Sequence, residues 1–181
     1  MQPLADESLE LSFEEQTAFN VARWSELIAD PQWEHWEGRI ETDEFGNVIM
    51  MPPPAVVHGR AEVEIALLLR QLLGGVALTE CPISTAKGVK GADVAWMTSE
   101  AYEKVRDEAC LPTAPPLCVE VLSPGNSRRE MKQKKALYFE RGAAEVWFCD
   151  RQGKMTFFLT AEDAGSAASR FCPAFPARIA M

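Results

Sequence analysis

The sequence predicts an α/β fold: a central mixed β-sheet flanked by helices, preceded by an N-terminal helix and a β-hairpin. Three observations carry this. Apolar runs of strand length alternate with helical stretches between residues 57 and 159. The runs at 91–97 and 117–123 are almost unbroken, as in strands covered on both faces. Serine caps and glycine stops then bracket the helices between them.

The elements follow in order. Residues 12–30 form a helix, with Ser12 and Glu15 as a capping box and Phe13, Ala18, Val21, Trp24, Leu27 and Ile28 as its apolar stripe, ended by Pro31. Residues 38–51 form a hairpin around Asp43–Asn47, stopped by Pro52, Pro53 and Pro54. The helix at 57–74 is so rich in Val, Ile and Leu that it reads as mostly buried, and Gly74 closes it. Strands are expected at 76–81 and 91–97, a helix at 99–109 and a strand at 117–123. The helix at 127–141 has Ser127 and Glu130 as its capping box and Gly142 as its stop. Strands at 145–149 and 154–159 are joined by a turn at Asp150–Gly153. The Ala-, Pro- and Ser-rich tail after 160 has no assigned structure. The whole reads as an N-terminal helical extension, 1–35, on one globular unit, 36–181.

Bulk properties narrow the function. With 47% hydrophobic and 25% charged residues among 181, a packed core is expected. No apolar run approaches the ~20 residues of a membrane span, and the acidic start at residues 1–7 is unlike a signal peptide, so a cytoplasmic protein with no membrane partner is expected. Five cysteines, Cys81, Cys110, Cys118, Cys149 and Cys172, with no C-x-x-C pair, argue against a disulfide framework or a zinc site. A net charge of −9 argues against a protein that coats nucleic acid, but not against one that engages it through a cleft. The two histidines, His35 and His58, have no triad partners, and no phosphate-binding Gly-rich loop is present.

Two acids stand where acids are costly. Glu120 is the only charge in Leu117–Leu122, and Asp93 the only one in Ala92–Met97. A buried carboxylate needs a partner, a proton or a metal. Two carboxylates on neighbouring strands make a hard-oxygen site suited to magnesium; the alternative is that each is paired with a basic residue. On the helix that follows, Lys134 and Lys135 both lie within the apolar arc formed with Met131, Leu137, Tyr138 and Phe139, and spacing does not choose between them.

These residues resemble a known family. The runs MPPPAVVHGRAEVEIALLL, GADVAWM and PPLCVEVLSPGNSRREMKQKKALYFERGAAEVWFCD are similar to the Uma-two restriction endonucleases of the PD-(D/E)xK nuclease superfamily, over residues 35–160. The resemblance implies a restriction-endonuclease-like fold for 36–181. It implies a metal site of Asp93, Glu120 and the Val121 carbonyl for Mg²⁺, with Mn²⁺ substituting for it. Lys134 is the matching lysine by its spacing to Tyr138 and Gly142, and it would orient the attacking water. The family's proline before the aspartate is Ala92 here, and the superfamily's lysine two residues after the glutamate is replaced by Leu122. His58, Glu62 and Glu130 occupy positions that are auxiliary in relatives. By themselves they read as a helix-start residue, a solvated or structural carboxylate and a helix cap. Arg128 and Arg129 are candidate phosphate contacts, or simply surface.

The function expected is a metal-dependent endonuclease that hydrolyses phosphodiester bonds of nucleic acid, with DNA favoured, and acts as a homodimer. The alternatives are a catalytically degenerate nuclease-fold binding or assembly module, and a hydrolase of small phosphate esters.

Overall fold

The computed structural model describes residues 11–33, 35 and 38–181; the acidic start lies outside them. Helix α1, Phe13–Ala29, begins at the capping box, with Ser12 and Glu15 bonded reciprocally. Its buried face differs from the expected stripe. Gln16, Asn20, Trp24 and Leu27 turn inward, whereas Phe13 and Ile28 are exposed. The reason is polar docking: Asn20 Nδ2 donates to Ser84 Oγ at 3.0 Å and to the Thr85 carbonyl at 2.9 Å. Arg141 stacks over the Phe13 ring and hydrogen-bonds Thr17, securing the same helix.

The hairpin of β1, Arg39–Thr42, and β2, Val48–Met51, forms its own two-stranded sheet. The main sheet has five strands in the order β3, Val76–Thr85; β4, Gly88–Met97; β5, Leu117–Val121; β6, Glu145–Cys149; and β7, Met155–Phe158. Only β5 and β6 run parallel, across the crossover helix α4, Arg128–Glu140. Strands β3 and β4 are longer than expected and meet in a tight turn. Pro82 does not end β3 because that strand lies at the sheet edge, where a missing N–H is tolerated. At Gly88 (φ +84°) a Cβ would fall 2.2 Å from the Asp43 carbonyl oxygen, so only glycine fits where the turn meets the hairpin. The short helix α3, Ser99–Val105, ends before the expected 109.

Helix α2, Val56–Leu73, packs Ala61, Ile65 and Leu69 on one face of the sheet, against Val94, Leu117, Val119 and Trp147. The expectation that it is mostly buried does not hold: Val63 is 56% exposed and Leu67 51%. One face of a helix suffices to cover the sheet, and the other faces outward. On the opposite sheet face, Tyr138 of α4 packs with Cys118, Ala95 and Val146. Among the described residues no helix is long and apolar enough to cross a membrane.

The tail, unassigned from sequence, completes the core: Cys172, Phe175 and Ile179 join the α2-side cluster. Glu145 holds it. Its buried carboxylate accepts from Trp147 Nε1 and Ser169 Oγ, both at 2.7 Å, and from the Arg170 and Phe171 N–H groups at 2.7 and 2.8 Å. Glu145→Ala would leave four donors without their acceptor. It is expected to cost about 3 kcal/mol or more, seen as a lower urea midpoint and early proteolysis of residues 160–181. Wild-type stability in this variant would contradict the anchoring role.

Candidate metal and active site

The site begins with Asp93, 1% exposed near the middle of β4. The β3–β4 register runs through Thr79–Val94 and Cys81–Ala92 but omits Glu80 and Asp93 between them. Glu80 there has φ 52°, the left-handed region, and is the only non-glycine to do so among the described residues. This irregularity is where Asp93 meets β5: its Oδ2 accepts a 2.6 Å hydrogen bond from the Val121 N–H. Its Oδ1 accepts from Nη1 of Arg39 on β1.

His58 and Glu62 reach the same point from α2. They are four residues apart and therefore share a helix face. His58 Nε2 lies 3.0 Å from Glu62 Oε1 and 3.4 Å from Asp93 Oδ2. Both His58 Nε2 and Glu62 Oε1 are buried without a properly directed hydrogen bond. One donor atom from each of His58, Glu62 and Asp93 lies within 4.8 Å of the other two. Buried polar atoms normally find partners. These two lie 3.0 Å apart as an ion pair with no well-directed hydrogen bond, and their convergence on a buried carboxylate fits a shared cation. Two carboxylates with one imidazole suit Mn²⁺, and Mg²⁺ through the oxygens. The solvated reading of Glu62 does not hold, since its side chain is only 9% exposed.

Electrostatics agree with this packing. The Asp93 and Glu62 carboxylates push the His58 imidazole up to about 9, against its burial. Burial works to raise Asp93, but His58 and Arg39 outweigh it and hold the carboxyl below the ordinary range.

A second group adjoins the first. Glu120 lies on the α4 side of β5, where Oε1 accepts from Tyr138 Oη at 2.6 Å and Oε2 from Lys134 Nζ at 3.1 Å. Lys134 also donates to the Gly91 carbonyl at 2.9 Å and pairs with Glu41 Oε1 of β1 at 3.0 Å. Burial pushes Glu120 up to about 8, with the nearby Asp93 charge adding to it and Lys134 opposing. Burial disfavours the Lys134 ammonium, but Glu120 and Glu41 outweigh it and raise its pKa. A lysine so held donates hydrogen bonds and offsets negative charge; it does not take up protons.

The structure thus brings Asp93 and Glu120 onto paired strands, with Lys134 on Glu120, while the converging donor set is Asp93 with His58 and Glu62. Val121 contributes its N–H to Asp93. Of the two lysines left open, Lys135 turns away to the Asp163 carbonyl and the Phe158 ring. Glu130 spends its carboxylate on the Ser127 cap. Arg128 and Arg129 are exposed at the start of α4. The cysteines are all buried and unpaired, and burial pushes Cys81, Cys110 and Cys149 up to about 12. Sequence reasoning missed Arg39, Glu41 and Glu80. The signal for the first two was present: Arg39 and Glu41 alternate along β1 and so share one strand face.

In metal-free protein His58 carries a pH signature. Its folded pKa, about 9, exceeds the unfolded 6.5, so its contribution is complete below pH 6.5 and is lost as pH rises to 9. Urea unfolding in EDTA should show that loss in wild type, and His58→Gln should flatten it. Equal slopes in the two proteins would contradict the pairing.

Two comparisons bear on this site. No functionally curated protein matches the sequence. The crystal structure of a putative nuclease from Anabaena variabilis superposes with a TM-score of 0.62 at 16% identity, covering 79% of this chain and 82% of that one. At that identity the likeness establishes the nuclease-like fold: the five-stranded mixed sheet with helices on its faces. The model of the Uma2 family, described as putative restriction endonucleases, matches residues 25–176, which take in His58, Glu62, Asp93, Glu120 and Lys134, and the chain belongs to that family.

Proposed function

We propose that the protein is a divalent-metal-dependent endonuclease that hydrolyses phosphodiester bonds of nucleic acid, with DNA the favoured substrate. The observation that carries this reading is the convergence of His58, Glu62 and Asp93 beside the Lys134–Glu120 pair, in a chain of a nuclease family. Asp93 would be the central ligand, flanked by Glu62 and His58 from α2 and by Glu120 and the Val121 carbonyl from β5. Bound there, Mg²⁺ or Mn²⁺ supplies Lewis-acid polarisation of a phosphoryl oxygen and a bound water of lowered pKa. Lys134, kept charged by Glu120 and Glu41, orients the attacking water and offsets charge developing on the phosphate. Tyr138 and Glu41 keep Glu120 and Lys134 in position.

Surface features support a nucleic acid partner despite the net charge. A cavity of about 460 Å³ beside His58 has a mostly apolar lining, among which stand Arg39, Arg151, Ser123, Asn126 and Glu130. A second, of about 310 Å³, shares Ser123 and Asn126 with it and carries Arg128, Lys132 and Lys135. Cationic side chains gathered along two adjoining hollows suit a phosphate backbone. Arg129 stands at the same helix start. The homodimer implied by the family resemblance belongs to this reading, and so does a cytoplasmic location, supported by five unpaired thiols.

One observation favours the second reading, a catalytically degenerate binding module: Arg39 already neutralises Asp93, and both Glu120 oxygens are satisfied without a metal. Calorimetric titration with Mn²⁺, alongside cleavage of plasmid DNA, separates the two. Wild type should bind and cleave, and Asp93→Asn should do neither. Lys134→Ala should keep Mn²⁺ binding while cleavage falls about 100-fold or more. Folded wild type that neither binds Mn²⁺ nor cleaves would establish the degenerate module.

A further inference from the structure

Arg39 is a half-used guanidinium beside the candidate metal ligands. All its hydrogen bonds, to Glu80 Oε1 and Oε2 at 3.0 and 2.9 Å and to Asp93, leave from the single nitrogen Nη1. Its Nε is buried with no partner. Glu62 Oε1 is at 4.0 Å, so three carboxylates surround this one cation. The side chain is nevertheless 23% exposed and lines the cavity shared with His58, Ser123 and Asn126. Arginine presents several directed N–H donors to oxyanions, and here Nη2 makes no hydrogen bond among the described residues. Glu80, whose left-handed backbone sets it opposite Asp93, braces the guanidinium from the sheet edge.

We infer that Arg39 is the residue that takes a phosphate of the nucleic acid substrate next to the candidate metal ligands, with Glu80 acting as the brace that holds it there. The inference rests on the nuclease reading. The carboxylates fix the guanidinium through Nη1, which leaves Nη2 without a hydrogen bond among the described residues, on a side chain that lines the cavity. An entering phosphodiester exchanges no covalent bond with it. The contact orders the strand over His58 and Asp93 and compensates phosphate charge in a site otherwise dominated by acids. Arg39 therefore differs from Lys134, which is closed in by Glu41, Glu120 and the Gly91 carbonyl.

The test is fluorescence anisotropy of a labelled duplex DNA against wild type, Arg39→Ala, Arg39→Lys and Glu80→Gln, with Ca²⁺ replacing Mg²⁺ so that binding is read without cleavage. Calorimetric Mn²⁺ titration of each protein runs beside it. Arg39→Ala should weaken DNA binding about tenfold and lower the log–log salt slope by about 1, as for a lost phosphate contact. Arg39→Lys should keep the salt slope but recover only part of the affinity, because a single ammonium cannot hold the carboxylates with one planar donor and offer another to phosphate. Glu80→Gln should weaken DNA binding only slightly, and less than Arg39→Ala, because the brace is loosened while Asp93 still holds the guanidinium. Mn²⁺ affinity in Arg39→Ala should be unchanged or higher, because a competing cation has left Asp93. Equal loss in Arg39→Ala and Glu80→Gln would reduce Arg39 to a structural ion pair and overturn the inference. Wild-type DNA binding in Arg39→Ala would overturn it while leaving the nuclease reading intact. Wild type that binds no DNA would overturn both.

Discussion

A carboxylate buried at the β4–β5 junction cannot remain charged alone, and the arrangement around Asp93 answers that constraint. Moving an isolated carboxylate out of water costs far more than the net stability of a domain this size. The compensation comes from three directions: Arg39 from the β1 strand, His58 from α2 and the Val121 N–H from β5. Each lies on a different element, so docking the hairpin and α2 onto the sheet and charging Asp93 are one event. The hairpin earns its position twice, because Glu41, two residues from Arg39, pairs with Lys134 and accepts from the Gly91 N–H.

The result is two adjoining charge clusters joined through β1. On the α2 side, acids outnumber bases, and Arg39 Nε, His58 Nε2 and Glu62 Oε1 lack a directed hydrogen bond. On the α4 side, Lys134 sits between Glu41 and Glu120, and Tyr138 closes the network. On the proposed reading the first would take a metal cation, while the second holds the Lys134 ammonium. That division separates binding an ion from stabilising charge near it. A buried ion network is weak support for stability, since well-packed apolar residues serve that purpose as well. Glu145 shows what a structural acid looks like in the same chain: both its oxygens accept two hydrogen bonds each.

How far the sequence announced this differs residue by residue. Asp93 and Glu120 were legible because each is a lone charge in an apolar strand, and burial follows from the strand. Their pairing as neighbours was expected because one helix and a loop connect the two strands. The apolar pattern narrowed the lysine to two positions and the family spacing favoured Lys134; the orientation of α4 sends Lys135 to Asp163. His58 and Glu62 share a helix face, but sequence does not say which face of α2 meets the sheet, since its apolar residues run all round it. Arg39 and Glu41 sit in a four-residue strand whose partners are distant in sequence, so nothing local reveals their targets. The extension of β3 through Pro82 depended on its edge position, which is a property of the assembled sheet. The tail was illegible because its few apolar residues have no period; they are placed by Glu145.

The most direct test of the account is an anomalous-difference map from crystals of the protein soaked in Mn²⁺. The account predicts one strong peak touching the Asp93 carboxylate, with His58 and Glu62 or Glu120 as further ligands and Arg39 withdrawn from Oδ1. A fully occupied soak with no peak at Asp93, and Arg39 still bonded to it, would show that the buried acids form a closed ion network and not a metal site.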